Sequence, residues 1–150
     1  MEAVQHVKLY YIKDAVVNMR EYPRNNSSVV SQALFSEKIN VKNTEENWVQ
    51  VITPDGYSGW IPKESMVERE EAYQTSLKVS RLSAHIYGIQ DTEFGPIKTL
   101  PYGSKLQMLD ATNSRWIKIA LPDGTECYIQ KGDVAEEEEL KSKNDIAVFS

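Results

Sequence analysis

Apolar and polar residues alternate one by one along much of this chain. Val49 and Val51 alternate with Trp48 and Gln50, and Ile117 and Ile119 alternate with Trp116 and Lys118. A period of two turns one set of side chains inward and the other outward, as in a half-buried strand. Each run ends in a turn signal, Thr53-Pro54-Asp55-Gly56 or Leu121-Pro122-Asp123-Gly124. Pro presets φ at the second turn position, Asp caps its own turn and Gly accepts positive φ. A second strand follows each turn, from Tyr57 to Ile61 and from Thr125 to Ile129, so two hairpins are predicted. Further short strands are predicted over 8–13, 15–20, 29–35, 38–43, 77–82, 96–100 and 105–111. Asn25 to Ser28 and Gly88 to Gly95 read as loops.

The two hairpins are copies of one another. Trp48 to Lys63 and Trp116 to Lys131 align without a gap at a spacing of 68 residues, and Trp, Pro, Asp, Gly, Ile and Lys coincide at 6 of 16 positions. Chance would give about one. Upstream, Ala33-Leu34 and Lys38-Ile39 resemble Thr99-Leu100 and Lys105-Leu106. The chain is therefore expected to hold two units, over 1–68 and 69–135, and a tail over 136–150. Five or so short strands per unit cannot bury both faces of a flat sheet, so each unit is expected to close into a small β-barrel.

Composition and charge narrow the function classes. The chain has 150 residues, of which 41% are hydrophobic and 26% charged, as in a folded protein. No apolar run approaches the ~20 residues of a membrane-spanning helix. The net charge of −5 divides into −2 over 1–68, zero over 69–135 and −3 over 136–150. With no strongly basic segment, a nucleic-acid-binding barrel and attraction to an anionic membrane are both disfavoured. Met1 to His6 has no basic stretch leading into an apolar core, so no signal peptide is expected at this start. The chain as it stands points to the cytoplasm, and a trimmed leader would point to the cell envelope.

Catalytic chemistry finds little support. Cys127 is the single cysteine, and His6 and His85 are the only histidines, both upstream of it. Cys127 lies in the alternating run Glu126-Cys127-Tyr128-Ile129, away from any helix N-terminus that would lower its pKa. It reads as a small apolar core residue, with a Cys127 nucleophile as the rival. No catalytic residue, metal-ligand set or cofactor is expected: carboxylates are not paired as acid and base, and no phosphate-cradling glycine loop occurs.

Trp48-x-x-Val51, then Asp55-Gly56, then Gly59-Trp60-Ile61-Pro62, resembles the C-terminal half of a bacterial SH3 (SH3b) domain. Val17-Asn18-Met19-Arg20-x-x-Pro23 resembles that family's opening strand. In the second unit Leu77-Lys78-Val79-Ser80-Arg81 stands in for the opening, and Cys127-Tyr128-Ile129-Gln130 replaces Gly-Trp-Ile-Pro. The resemblance covers roughly residues 13–135 and implies an all-β chain of two SH3-like barrels in tandem. Beyond them lie an acidic linker, Glu136 to Lys143, and the start of an amphipathic helix, Asn144 to Ser150. That ending resembles the junction of NlpC-type cell-wall cysteine peptidases, whose catalytic domain carries an Asp-Cys-Ser-Gly motif. The motif does not occur here. The resemblance implies a non-catalytic module for peptidoglycan stem peptides, attached to a γ-D-glutamyl-diamino acid endopeptidase or standing alone.

Six aromatics are candidate ligand contacts: Tyr22, Trp48, Trp60, Tyr87, Trp116 and Tyr128. Alternation turns Trp48 and Trp116 outward beside Gln50 and Lys118, and Trp60 and Tyr128 outward beside Ile61 and Ile129. Tyr22 and Tyr87, with Phe94, lie at the first long loops, where SH3-like domains line a groove. Each of these residues either meets a ligand or packs against a loop of its own barrel. Arg20 or Lys63 is positioned to meet a stem-peptide carboxylate. The alternative function is a scaffold that shapes the cleft of an adjoining peptidase domain without binding the wall.

Overall fold

The computed structural model describes residues 8–137, and these are all-β. They divide into two compact units between Tyr73 and Gln74. The first contains β1 (Leu9–Ile12), β2 (Val16–Arg20), β3 (Val29–Leu34), β4 (Lys38–Glu45), β5 (Trp48–Ile52), β6 (Ser58–Pro62), a 3-10 turn (Lys63–Ser65) and β7 (Met66–Arg69). The second contains β8 (Leu77–Val79), β9 (Ser83–Tyr87), β10 (Lys98–Pro101), β11 (Lys105–Asp110), β12 (Trp116–Ala120), β13 (Glu126–Gln130), a 3-10 turn (Lys131–Asp133) and β14 (Val134–Glu136). Each unit is one curled antiparallel sheet, ordered β3-β2-β6-β5-β4-β1-β7 in the first and β10-β9-β13-β12-β11-β8-β14 in the second. The two orders are the same, strand for strand, so the duplication extends to topology.

Alternation becomes burial. Val49, Val51 and Ile61 are fully buried and pack with Ile12, Val17, Met19, Ala33 and Ile39. In the second unit Leu77, Val79, Ala84, Ile86, Leu100, Leu106, Ile119, Cys127 and Ile129 are buried in the corresponding strands. Burying such a set is the main favourable contribution to folding in units this small. Both predicted turns form alike. Gly56 N–H donates to Thr53 C=O at 2.9 Å and Gly124 N–H to Leu121 C=O at 2.8 Å. Gly56 and Gly124 both take φ +90°, a conformation that favours glycine. At Gly59 the need is space instead: a Cβ there would lie 2.8 Å from Met19 Cβ.

The strand register corrects the expected opening of the second unit. Leu77–Val79 pairs with β11 and β14, as β1 pairs with β4 and β7. It is the counterpart of β1 rather than of Val17 to Arg20. The counterpart of β2 is β9, where Ala84 and Ile86 take the buried places of Val17 and Met19. Tyr10↔Ile39 matches Leu77↔Leu106, a spacing of 67 residues, whereas Trp48↔Pro62 matches Trp116↔Gln130 at 68. One residue is thus inserted in the β11–β12 loop. The closing strands β7 and β14 lie beyond the predicted set, and β14 extends to Glu136, the first residue of the expected linker. The remainder of the expected linker and the expected helix start lie outside the described residues, as does His6.

Candidate functional site

Residues opposite one another on neighbouring strands share a face. In the first unit Asn43, Gln50, Trp60 and Arg20 form one row across β4, β5, β6 and β2. Asn43 Nδ2 donates to Gln50 Oε1 at 2.6 Å, so this end of the row is neutral. Arg20 Nη1 donates to Ser27 C=O at 2.9 Å, and Tyr22 N–H donates to Ser27 Oγ at 2.9 Å. These two bonds fold the β2–β3 loop onto the row. Arg20 is therefore engaged in holding the loop. Tyr22 is half-exposed, with the Arg24 guanidinium carbon 5.2 Å from its ring centre.

Trp48 is half-buried at the start of β5. It lines an open groove of about 370 Å³ with Asn25, Asn47, Pro62, Lys63 and Glu64. Lys63 N–H donates to Asn47 C=O at 2.8 Å, which ties the 3-10 turn to the residue before Trp48. The groove thus joins an indole, a proline ring, two amides, one cation and one anion. Trp60 is half-buried and stands in the adjacent row, outside the groove lining. Of the expected contacts, Trp48 and Lys63 come together here.

The second unit uses its aromatics differently. Trp116 and Tyr87 are 5% and 6% exposed, so of the two expected alternatives these residues take packing within their own barrel. Their rings meet edge-on, 5.4 Å between centres at 82°, and the Arg115 guanidinium carbon lies 5.1 Å from the Trp116 ring centre. Neighbours within the unit take up faces that would otherwise meet water. The row across β11, β12, β13 and β9 reads Asp110, Lys118, Tyr128 and Tyr87. Tyr128, half-buried, lines an open cleft of about 480 Å³ with Gln90, Asp110, Thr112, Asn113, Trp116 and Lys118. Lys118 Nζ lies 2.9 Å from Glu126 Oε1, and that hydrogen bond and charge raise the Lys118 pKa. Asp110 accepts from Thr112 N–H at 2.9 Å, which chiefly lowers its pKa. Lys118 and Lys131 lower it further. The charged pair Asp110 and Lys118 was missed by the sequence reading. Its signal was the outward register, equivalent to that of the neutral pair Asn43 and Gln50 in the first unit.

Cys127 is fully buried, and loss of hydration pushes its thiol up to about 12. A thiol so held is protonated at neutral pH and is a poor nucleophile. His85 Nδ1 lies 2.8 Å from Thr99 Oγ1 on the β9–β10 pair. Among the described residues no group of His, Cys, Asp and Glu is arranged to hold a metal ion.

The sequence profile of the bacterial SH3 domain matches residues 15–67. The chain is 24% identical over 148 residues to a γ-D-glutamyl-L-lysine dipeptidyl-peptidase of Bacillus cereus, an alignment that covers 91% of this chain and 43% of that protein. A crystal structure of an NlpC/P60 family protein, also from Bacillus cereus, shares the fold with a TM-score of 0.71 at 17% identity, over 87% of this chain and 56% of the other. The chain thus spans less than two thirds of the length of either. The first unit matches the bacterial SH3 profile and the second repeats its strand order, so the chain is two SH3-like barrels in tandem, similar to part of an NlpC/P60 family protein.

Proposed function

We propose that this tandem is a non-catalytic recognition module for peptidoglycan peptides, working with a γ-D-glutamyl peptidase domain of the kind its relative carries. The observation that supports it is the Trp48 groove, whose lining joins an indole and Pro62 to Lys63. A stem peptide offers apolar side chains for the first two and carboxylates for the third. The aromatic surface gives affinity, and the charge fixes the direction of the chain. The test is cosedimentation of the 150-residue chain with purified sacculi, wild type against Trp48→Ala and Lys63→Gln. Loss of at least tenfold in affinity with either variant supports the groove, and unchanged binding refutes it.

A second reading has one observation in its favour. Ile89, Phe94 and Ile97 in the β9–β10 loop are 50%, 77% and 56% exposed, which presents an apolar patch. A scaffold that packs this patch against a peptidase domain would leave the chain unable to bind sacculi. Removing residues 1–135 from a full-length enzyme would then abolish or alter its activity.

A further inference from the structure

The cleft of the second unit differs from the Trp48 groove in ways that together define a ligand. Asp110 and Lys118 are register partners across β11 and β12, where the first unit has the neutral amides Asn43 and Gln50, Asn43 donating to Gln50. The loop beyond them also differs. In the first unit β4–β5 pairing continues to Glu45↔Trp48, closing the strands in a tight turn. In the second, pairing ends at Asp110↔Lys118, and the longer loop carries Thr112 and Asn113 to the cleft wall. Charge and access therefore change at the same place.

We propose that this cleft binds a free α-amino-acid centre, an ammonium and a carboxylate on one carbon, with the ammonium on Asp110 and the carboxylate on Lys118. Resting on the wall-peptide reading above, the proposal specifies its substrate class: a stem peptide whose diamino residue ends in such a centre rather than in a bare amine. Asp110 accepts from Thr112 through Oδ1, and a carboxylate has further lone pairs for an incoming ammonium. Lys118 is bound to Glu126 by a single contact, and an ammonium carries three donors, so a second carboxylate can share it. Tyr128, next along the row, offers a hydroxyl beside the pair. Trp116 contributes a wall and no stacking face, since Tyr87 and Arg115 already cover its ring. The ligand is thus selected by charge placement rather than by aromatic stacking. A bare amine would meet Asp110 and leave Lys118 without a new partner.

The test uses the 150-residue chain labelled with ¹⁵N and two synthetic tripeptides, L-Ala-γ-D-Glu-meso-diaminopimelate and L-Ala-γ-D-Glu-L-Lys. Chemical shifts are followed at the amides of Thr112, Lys118 and Tyr128 and, separately, at the Trp48 indole. The expected result is movement of the three cleft amides with the first peptide, at least tenfold weaker with the lysine peptide. Asp110→Asn and Lys118→Gln, each checked for a native spectrum, should each weaken it by a similar factor. Equal response to both peptides, or no cleft response, overturns the proposal. Movement of the Trp48 indole alone overturns it and leaves the groove reading standing. Cleft movement with a silent Trp48 indole supports it and locates recognition in the second unit.

Discussion

Raising pH should destabilise the second unit through one side chain. Cys127 is fully buried in β13, and its thiol titrates at about 12 instead of the ordinary 9.0, chiefly because burial opposes the thiolate. The unfolded chain releases this proton near 9, whereas the folded chain keeps it until about 12. Between these values the folded state binds more protons, so stability falls as pH rises. The contribution is intact below pH 9 and declines by about 1.4 kcal/mol per pH unit above it, or about 3 kcal/mol by pH 11. Tyrosines and lysines titrate in the same range, so the assay compares wild type with Cys127→Ala in urea unfolding from pH 8 to 11. The variant carries a cavity penalty that is constant with pH, and the stability gap should narrow by about 3 kcal/mol across the range. At pH 7.4 the same displacement lowers the thiolate fraction about a thousandfold, so labelling by a disulfide reagent should be slow until the unit unfolds. A gap that stays constant with pH, together with rapid labelling of the folded chain, would refute the assignment of Cys127 to the core.

Four further outcomes are expected. Trp116→Ala should cost about 3–5 kcal/mol and unfold the second unit, whereas half-buried Trp48→Ala should cost about 1–2 kcal/mol; thermal melts of both variants check this contrast. Gly59→Ala should destabilise the first unit by about 1–3 kcal/mol in urea titration, because the new Cβ would press on Met19. Arg20→Met should leave the barrel folded at a cost of about 1 kcal/mol and speed hydrogen exchange at Tyr22, whose loop loses the bond to Ser27 C=O. Deleting Ser114 should tighten the β11–β12 connection toward the form in the first unit, changing stability by less than about 1 kcal/mol while abolishing the cleft-amide shifts in the tripeptide titration.

The hairpins were legible because two independent signals coincided, period-two alternation and a Pro-Asp-Gly turn, each needing only local sequence. The opening of the second unit was not. Leu77 and Val79 alternate as well as Val17 and Met19 do, and one strand cannot be told from its neighbour by period alone. β9 shows Ala84 and His85 where a larger apolar pattern would have marked it. The inserted residue then shifts the repeat spacing from 67 to 68, so a gap-free comparison loses the upstream half. For the site, alternation correctly set the strand faces, yet a face is not an exposure. Trp116 points away from the barrel core and is still covered, by Tyr87 of β9 and by its chain neighbour Arg115. The contact with Tyr87 depends on how β9 is placed against β12 and β13, a tertiary fact that no local pattern records.

The two units part where their physics permits it. Inside each barrel volume constrains the strands: Gly59 faces Met19 too closely for any Cβ, while the second unit seats a buried Cys127 at the same register. Outside, the row from β11 to β9 is free of that constraint, and exchanging Asn43 and Gln50 for Asp110 and Lys118 replaces two neutral amides joined by one hydrogen bond with two opposite charges, each bonded elsewhere in the unit. The first pair is uncharged and linked by one hydrogen bond, beside the groove that Trp48 and Lys63 line. The second holds two full charges at an open cleft, where solvent screens them in the free protein and a ligand that displaces this water would strengthen both contacts at once. A duplicated barrel therefore presents two surfaces of unlike chemistry on one fold, the first combining an aromatic ring with a cation and the second placing two opposite charges on neighbouring strands.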